Sequence, residues 1–151
     1  MVNRLSALSI LLLGTAAFAA DPDDIPSAED WYKNDYAPLY GDKPGDRAAE
    51  IAGHFADQVQ VHGADPGTYD SMSWMSEAIV EWLSEGWIRS ELAALRFDQL
   101  NSHAAAFKAK WRDYYDGDVT AYECGWYLAD VIEGKWRITE YATIQCDEHG
   151  L

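Results

Sequence analysis

The stretch that decides the fold is residues 103–146, HAAAFKAKWRDYYDGDVTAYECGWYLADVIEGKWRITEYATIQC. Large apolar side chains recur in it at every second position, the period of a strand with one buried face. The breaks are turn formers, Asp116-Gly117 and Glu133-Gly134-Lys135, so the stretch predicts strands over 104–115, 119–132 and 136–146 joined as hairpins. A further strand over 88–100 precedes them across Asn101-Ser102-His103. A two-residue turn at Asp116-Gly117 sets Phe107 opposite Trp126, Ala109 opposite Cys124 and Trp111 opposite Tyr122, an apolar inner face. The outer face then carries Lys108, Lys110 and Arg112 against Gly125, Glu123 and Ala121, with Lys110 facing Glu123. A three-residue loop at 133–135 turns Trp136, Ile138, Glu140, Ala142 and Ile144 inward. It also brings Cys146 diagonal to Cys124, and these two cysteines are expected to form a disulfide in an oxidising compartment.

Upstream, Trp74, Met75, Ala78, Ile79, Trp82 and Leu83 recur at helical spacing, which predicts a helix over 73–85 stopped by Gly86. The turn-rich segment 63–67 reverses the chain after a short strand over 58–62. Before that strand Asp46 caps a helix with the stripe Ala48, Ile51, Ala52 and Phe55. Ser27, with an acid three residues later, starts a first helix over 28–40 that carries Trp31, Tyr32, Tyr36, Leu39 and Tyr40. Helix, helix, strand, helix and then a four-strand meander define an α+β domain, its helices on one face of a curved antiparallel sheet.

The opening MVNRLSALSILLLGTAAFAA has a single charge at Arg4, an apolar run over 5–18 and small residues Ala17 and Ala19. This reads as a signal peptide, residues 1–19, cut before Ala20; the run is shorter than the ~20 residues of a bilayer span. The expected organisation is signal peptide 1–19, acidic leader 20–26, one domain over 27–146 and a tail 147–151, exported to the periplasm or the external medium. A formal charge of −15 over the chain repels phosphate backbones and anionic lipid, so neither nucleic acid nor a membrane is an expected partner. The sequence has no phosphate-cradling glycine loop and no histidine or cysteine pair at metal-ligand spacing, so no cofactor and no metal are expected.

This element order, with HFADQVQVHG (54–63), SWMSEAIVEWLSEGW (73–87), HAAAFKAKWRDY (103–114) and GWYLADVIEGKWRITEYA (125–142), resembles the nuclear transport factor 2-like superfamily, in particular its SnoaL-like branch. The resemblance spans residues 27–146 and implies a cone, a cystatin-like half-barrel whose three helices cover the concave face of the sheet and enclose a cavity. In such a cone Glu140, between Ile138 and Ala142, is the candidate general acid or base, with His62 as a second proton carrier. Tyr32, Tyr36, Trp74, Trp111, Tyr122 and Trp126 are the candidate ligand-binding residues; equally, such rings fill a small core. Isomerase-like and dehydratase-like members carry an acidic base just after the first strand, where this chain has Val61-His62-Gly63-Ala64. Members also pair through the outer sheet face, which implies a homodimer over the strip of Tyr127, Tyr141, Thr139 and Val131. Three functions follow: a pocket for a small, largely apolar molecule, a proton-transfer enzyme of isomerase, dehydratase or cyclase type, or a protein-interaction module.

Overall fold

A computed structural model describes residues 25–146; the expected signal peptide, residues 20–24 and the tail lie outside the described residues. The first helical run is α1 (Ala28–Trp31) continued by a π turn (Tyr32–Tyr36) and a 3-10 turn (Ala37–Tyr40). A 3-10 turn (Pro44–Arg47) leads into α2 (Ala48–Ala52), followed by β1 (Phe55–His62), β2 (Gly67–Asp70) and α3 (Ser71–Ser84). The chain ends in β3 (Trp87–Asn101), β4 (Ala104–Tyr115), β5 (Val119–Ile132) and β6 (Lys135–Ile144). The six strands form one curved, open sheet in the order β2-β1-β6-β5-β4-β3.

Local chemistry accounts for the helix limits. Ser27 Oγ accepts the Asp30 N–H at 3.1 Å, satisfying one orphan donor of the first turn. Asp70 caps α3 in the same way, its Oδ1 2.9 Å from the Ser73 nitrogen, so α3 begins two residues earlier than its apolar stripe predicts. It stops at Gly86, whose φ of 88° suits a residue without a Cβ. Phe55, expected on the stripe of the second helix, instead heads β1, because the helix ends at Ala52 and Gly53 is its cap.

β3 to β6 make the expected antiparallel meander, and β1 joins it parallel to β6, so the sheet as a whole is mixed. The reversal at 63–67 continues into β2, which pairs back on β1. Two registers differ from the sequence reading. The β4–β5 turn holds three residues, since Tyr115 pairs with Val119, and Gly117 and Asp118 both take left-handed backbone. That one extra residue moves every β5 partner by one: Phe107 faces Tyr127, Trp111 faces Glu123, and Lys110 faces Cys124 instead of Glu123. Tyr127 and Glu123 therefore stand on the concave face, and Tyr122 and Trp126 on the convex one.

The β5–β6 turn has two residues, Glu133 and Gly134, both at positive φ and closed by Ile132 opposite Lys135. Trp136 and Ile138 point inward as expected. A bulge then places Thr139 as an extra residue between the Ala129–Ile138 and Leu128–Glu140 pairs. Beyond it the faces exchange. Tyr141 turns into the cone, whereas Glu140, Ala142 and Ile144 turn out. Tyr127 and Tyr141 are opposite each other as read, but inside the cone, with ring centroids 5.2 Å apart, and so form no exposed strip.

Tyr32 stacks on Phe107 at 4.7 Å, and Tyr36 and Tyr40 follow it one turn at a time over the sheet. Their three rings are buried, so the first helical run supplies the lid of the core. On the convex side Cys124 and Cys146 form a disulfide with Cα atoms 5.2 Å apart, tying the chain just past β6 to the middle of β5.

Candidate functional site

The concave face of β4 presents Phe107, Ala109, Trp111 and then Asp113, all buried. The last of these breaks an otherwise apolar series. Asp113 Oδ1 accepts a hydrogen bond from Ser90 Oγ at 2.5 Å, and Ser90 Oγ accepts one from Trp87 Nε1 at 2.9 Å. This relay from β3 holds the carboxyl in one orientation. Burial raises the proton affinity of Asp113, and the Ser90 hydrogen bond offsets this only in part.

Glu123 lies diagonally across from Asp113, because its direct partner is Trp111 and the partner of Asp113 is Ala121. Diagonal neighbours on one face lie about 7–8 Å apart. Glu123 stands at the rim, exposed to solvent, with its Oε1 3.4 Å from the Tyr141 hydroxyl. Its proton affinity is also raised, first by burial of the carboxyl and then by the nearby charge of Asp113. Both carboxyls thus favour their neutral forms more than ordinary side chains do.

Between them lies a cavity of about 60 Å³, room for a handful of waters or a small ligand group. Its walls are aromatic: Trp74 and Trp82 from α3, Tyr36 and Tyr40 from the first helical run, Trp111 and Tyr127 from the sheet. Three contacts fix these rings. The Tyr36 and Tyr40 hydroxyls are 2.8 Å apart, Trp111 Nε1 donates to Tyr127 Oη at 3.1 Å, and Trp74 lies 5.6 Å from Tyr141. Gly125 completes the seat, since a Cβ there would meet the Tyr127 ring at 2.7 Å. Burial pushes the Tyr36, Tyr40, Tyr127 and Tyr141 hydroxyls well above their usual range, so they are neutral donors and acceptors in neutral solution.

Of the residues singled out from sequence, Tyr36, Trp74 and Trp111 line the cavity. Tyr32 is fully buried one layer away, against Phe107. Tyr122 and Trp126 lie on the convex face, for the register reason given above; Tyr122 stacks beneath Lys110 and Arg112, and Trp126 lies 6.4 Å from His62. His62 and Glu140 do come together, Nε2 to Oε2 at 2.9 Å, since β1 runs parallel to β6 and pairs Gln60 with Glu140. Their side chains are 48% and 35% exposed, so the two form a solvated hydrogen-bonded pair outside the cone that does not face the cavity. His54 packs against Trp31 and Tyr36 on the core's other flank, where burial lowers its proton affinity.

Sequence reading missed Asp113 and Glu123. The signal for Asp113 was present in the alternation of β4, which puts every odd position from Phe107 onward on the apolar face. Glu123 carried no such signal, because its face depends on one residue in a turn.

No family model and no curated protein matches the chain. Solved structures do. An NTF2-like protein with a cystatin-like fold from Novosphingobium aromaticivorans aligns over 80% of this chain and 84% of its own, at 12% identity and a TM-score of 0.56. A candidate scytalone dehydratase from the same species aligns over 74% and 78%, at 13% identity and a TM-score of 0.53. A candidate calcium/calmodulin-dependent protein kinase II association domain from Xanthomonas campestris aligns over 80% and 86%, at 13% identity and a TM-score of 0.56. The chain has the cystatin-like cone fold that these NTF2-like structures share. At these identities the likeness is one of fold, and the named neighbours differ in role.

Proposed function

We propose that this is an exported binding protein whose cone cavity takes one small molecule with a compact, largely apolar body. The observation that carries this reading is the cavity itself: aromatic walls held by mutual hydrogen bonds, with a buried, oriented carboxyl at Asp113. Flat rings offer contact area at little cost in side-chain entropy, and the carboxyl gives a fixed polar point for orientation. A thermal-shift screen of small molecules, repeated on Trp111→Ala, tests it. A ligand of this cavity raises the melting temperature of the parent chain in proportion to the logarithm of its concentration and leaves the variant unmoved. No shift by any compound, or equal shifts in both proteins, overturns the reading.

Proton-transfer catalysis is the second reading, and the raised proton affinity of Asp113 favours it, since burial tunes that carboxyl toward giving or taking a proton. The acid of that reaction is Asp113, with Glu123 at the mouth, and not Glu140 or His62. Once a substrate is in hand, Asp113→Asn is expected to lower kcat by about a hundredfold or more. Pairing of two copies also remains part of this proposal, over a convex face that carries Trp126, Tyr122 and the basic row of β4. Analytical ultracentrifugation of the parent and Trp126→Glu reads it directly.

A further inference from the structure

The ligand class follows from what the cavity wall contains and what it lacks. Two carboxyls, Asp113 and Glu123, face it from adjacent strands. No lysine, arginine or histidine is among its lining residues, and no described salt bridge involves either acid. The titratable groups that line the cavity with Asp113 are Glu123 and Tyr127 from β5, Tyr36 and Tyr40 from the first helical run, Tyr115 on its own strand and Tyr141 from β6, all acidic or neutral. Around them stand Trp74, Trp82, Trp87 and Trp111. A ring face attracts a cation through its quadrupole, and more strongly where water is excluded. An uncompensated carboxyl in the same enclosure selects the same sign of charge.

We propose that the cavity binds an organic cation, an alkylated ammonium group seated among the tryptophans with Asp113 beneath it and Glu123 at the mouth. This rests on the pocket reading above and deepens it. The volume of about 60 Å³ suits a headgroup of a few heavy atoms, with any tail leaving through the mouth beside Glu123. The chain's formal charge of −15 adds a long-range attraction for cations. Arrival of the cation favours ionisation of the acids, so within the carboxyl range binding releases protons and tightens as pH rises. For a neutral ligand that accepts a hydrogen bond from the protonated acid, the pH dependence has the opposite sign.

The experiment titrates the purified chain with choline and with neohexyl alcohol, which matches choline in shape but has carbon in place of the charged nitrogen. Calorimetry in two buffers of different ionisation enthalpy counts the protons released. Choline is expected to bind at least about tenfold more tightly than its neutral isostere, with proton release when the titration is run within the carboxyl range. In Asp113→Asn and in Glu123→Gln that preference shrinks, while affinity for the alcohol is retained and so certifies the fold of each variant. Should Asp113→Asn fail to fold, the rim variant and the loss of the preference in high salt decide. Equal binding of the two compounds, or tighter binding of the alcohol, overturns the cation assignment and leaves the pocket reading standing. If neither binds, nor any compound of the thermal-shift screen, both fall together.

Discussion

Asp113 shows what a single residue contributes. It occupies a position where β4 elsewhere places Phe107, Ala109 and Trp111, and it is 6% exposed. A carboxyl whose folded pKa lies above its unfolded one binds protons more readily in the native state, so it lowers stability as pH rises through that interval. The contribution of this group is then most favourable on the acid side, before it ionises. Asp113→Asn keeps the acceptor for Ser90 and removes the buried charge. At neutral pH the variant is expected to be more stable than the parent, by a fraction of the ~1.4 kcal/mol that one pKa unit represents, since solvent at the mouth screens the charge. The difference should vanish below the ordinary aspartate range, as denaturant midpoints measured across pH will show. A gain in stability joined to a loss of ligand affinity is the pattern of a functional residue kept at a cost to the fold.

Among the elements, the turns and the bulge decide which side chains meet. The Asp116-Gly117-Asp118 loop and the extra Thr139 each shift a strand by one position, and in a sheet one position is a change of face. Between them they carry Tyr127, Glu123 and Tyr141 into the cone and send Tyr122, Trp126 and Glu140 out. Gly117 sits at a φ of 78°, which a residue with a Cβ adopts only under strain. Gly117→Ala is expected to cost about 1 kcal/mol, read as a shift in urea midpoint with an unchanged slope. A changed slope would mean that the substitution had altered the surface exposed on unfolding and not stability alone.

For the molecule as a whole, the cone is closed by contacts between distant parts of the chain. The first helical run covers the sheet through Tyr32 on Phe107, α3 covers the mouth through Trp74 and Trp82, and β1 completes the sheet against β6. The disulfide spans 22 residues and holds the end of β6 to β5 on the convex face. Removing it by Cys124→Ser together with Cys146→Ser is expected to cost about 3 kcal/mol. The melting temperature should fall by several degrees, and reduction of the parent should reproduce the fall. A double variant as stable as the parent would show that packing alone holds the sheet end.

Much of this architecture was legible without coordinates. The period of two from Ala104 onward, the helical stripe from Trp74 to Leu83 and the caps at Ser27 and Gly86 specify strands, helices and their order, because each depends only on neighbours along the chain. The disulfide was legible too, as two cysteines in reach of one sheet. Tertiary structure alone decided which side of β5 and of the second half of β6 faces inward, and with it the candidate site. That choice depends on left-handed backbone at Asp118 and on an inserted Thr139, which become favourable only when Tyr127 packs beneath the first helical run and Tyr141 against Trp74 of α3. Glu140 and His62 therefore meet in solvent, while Asp113 and Glu123 share the cavity.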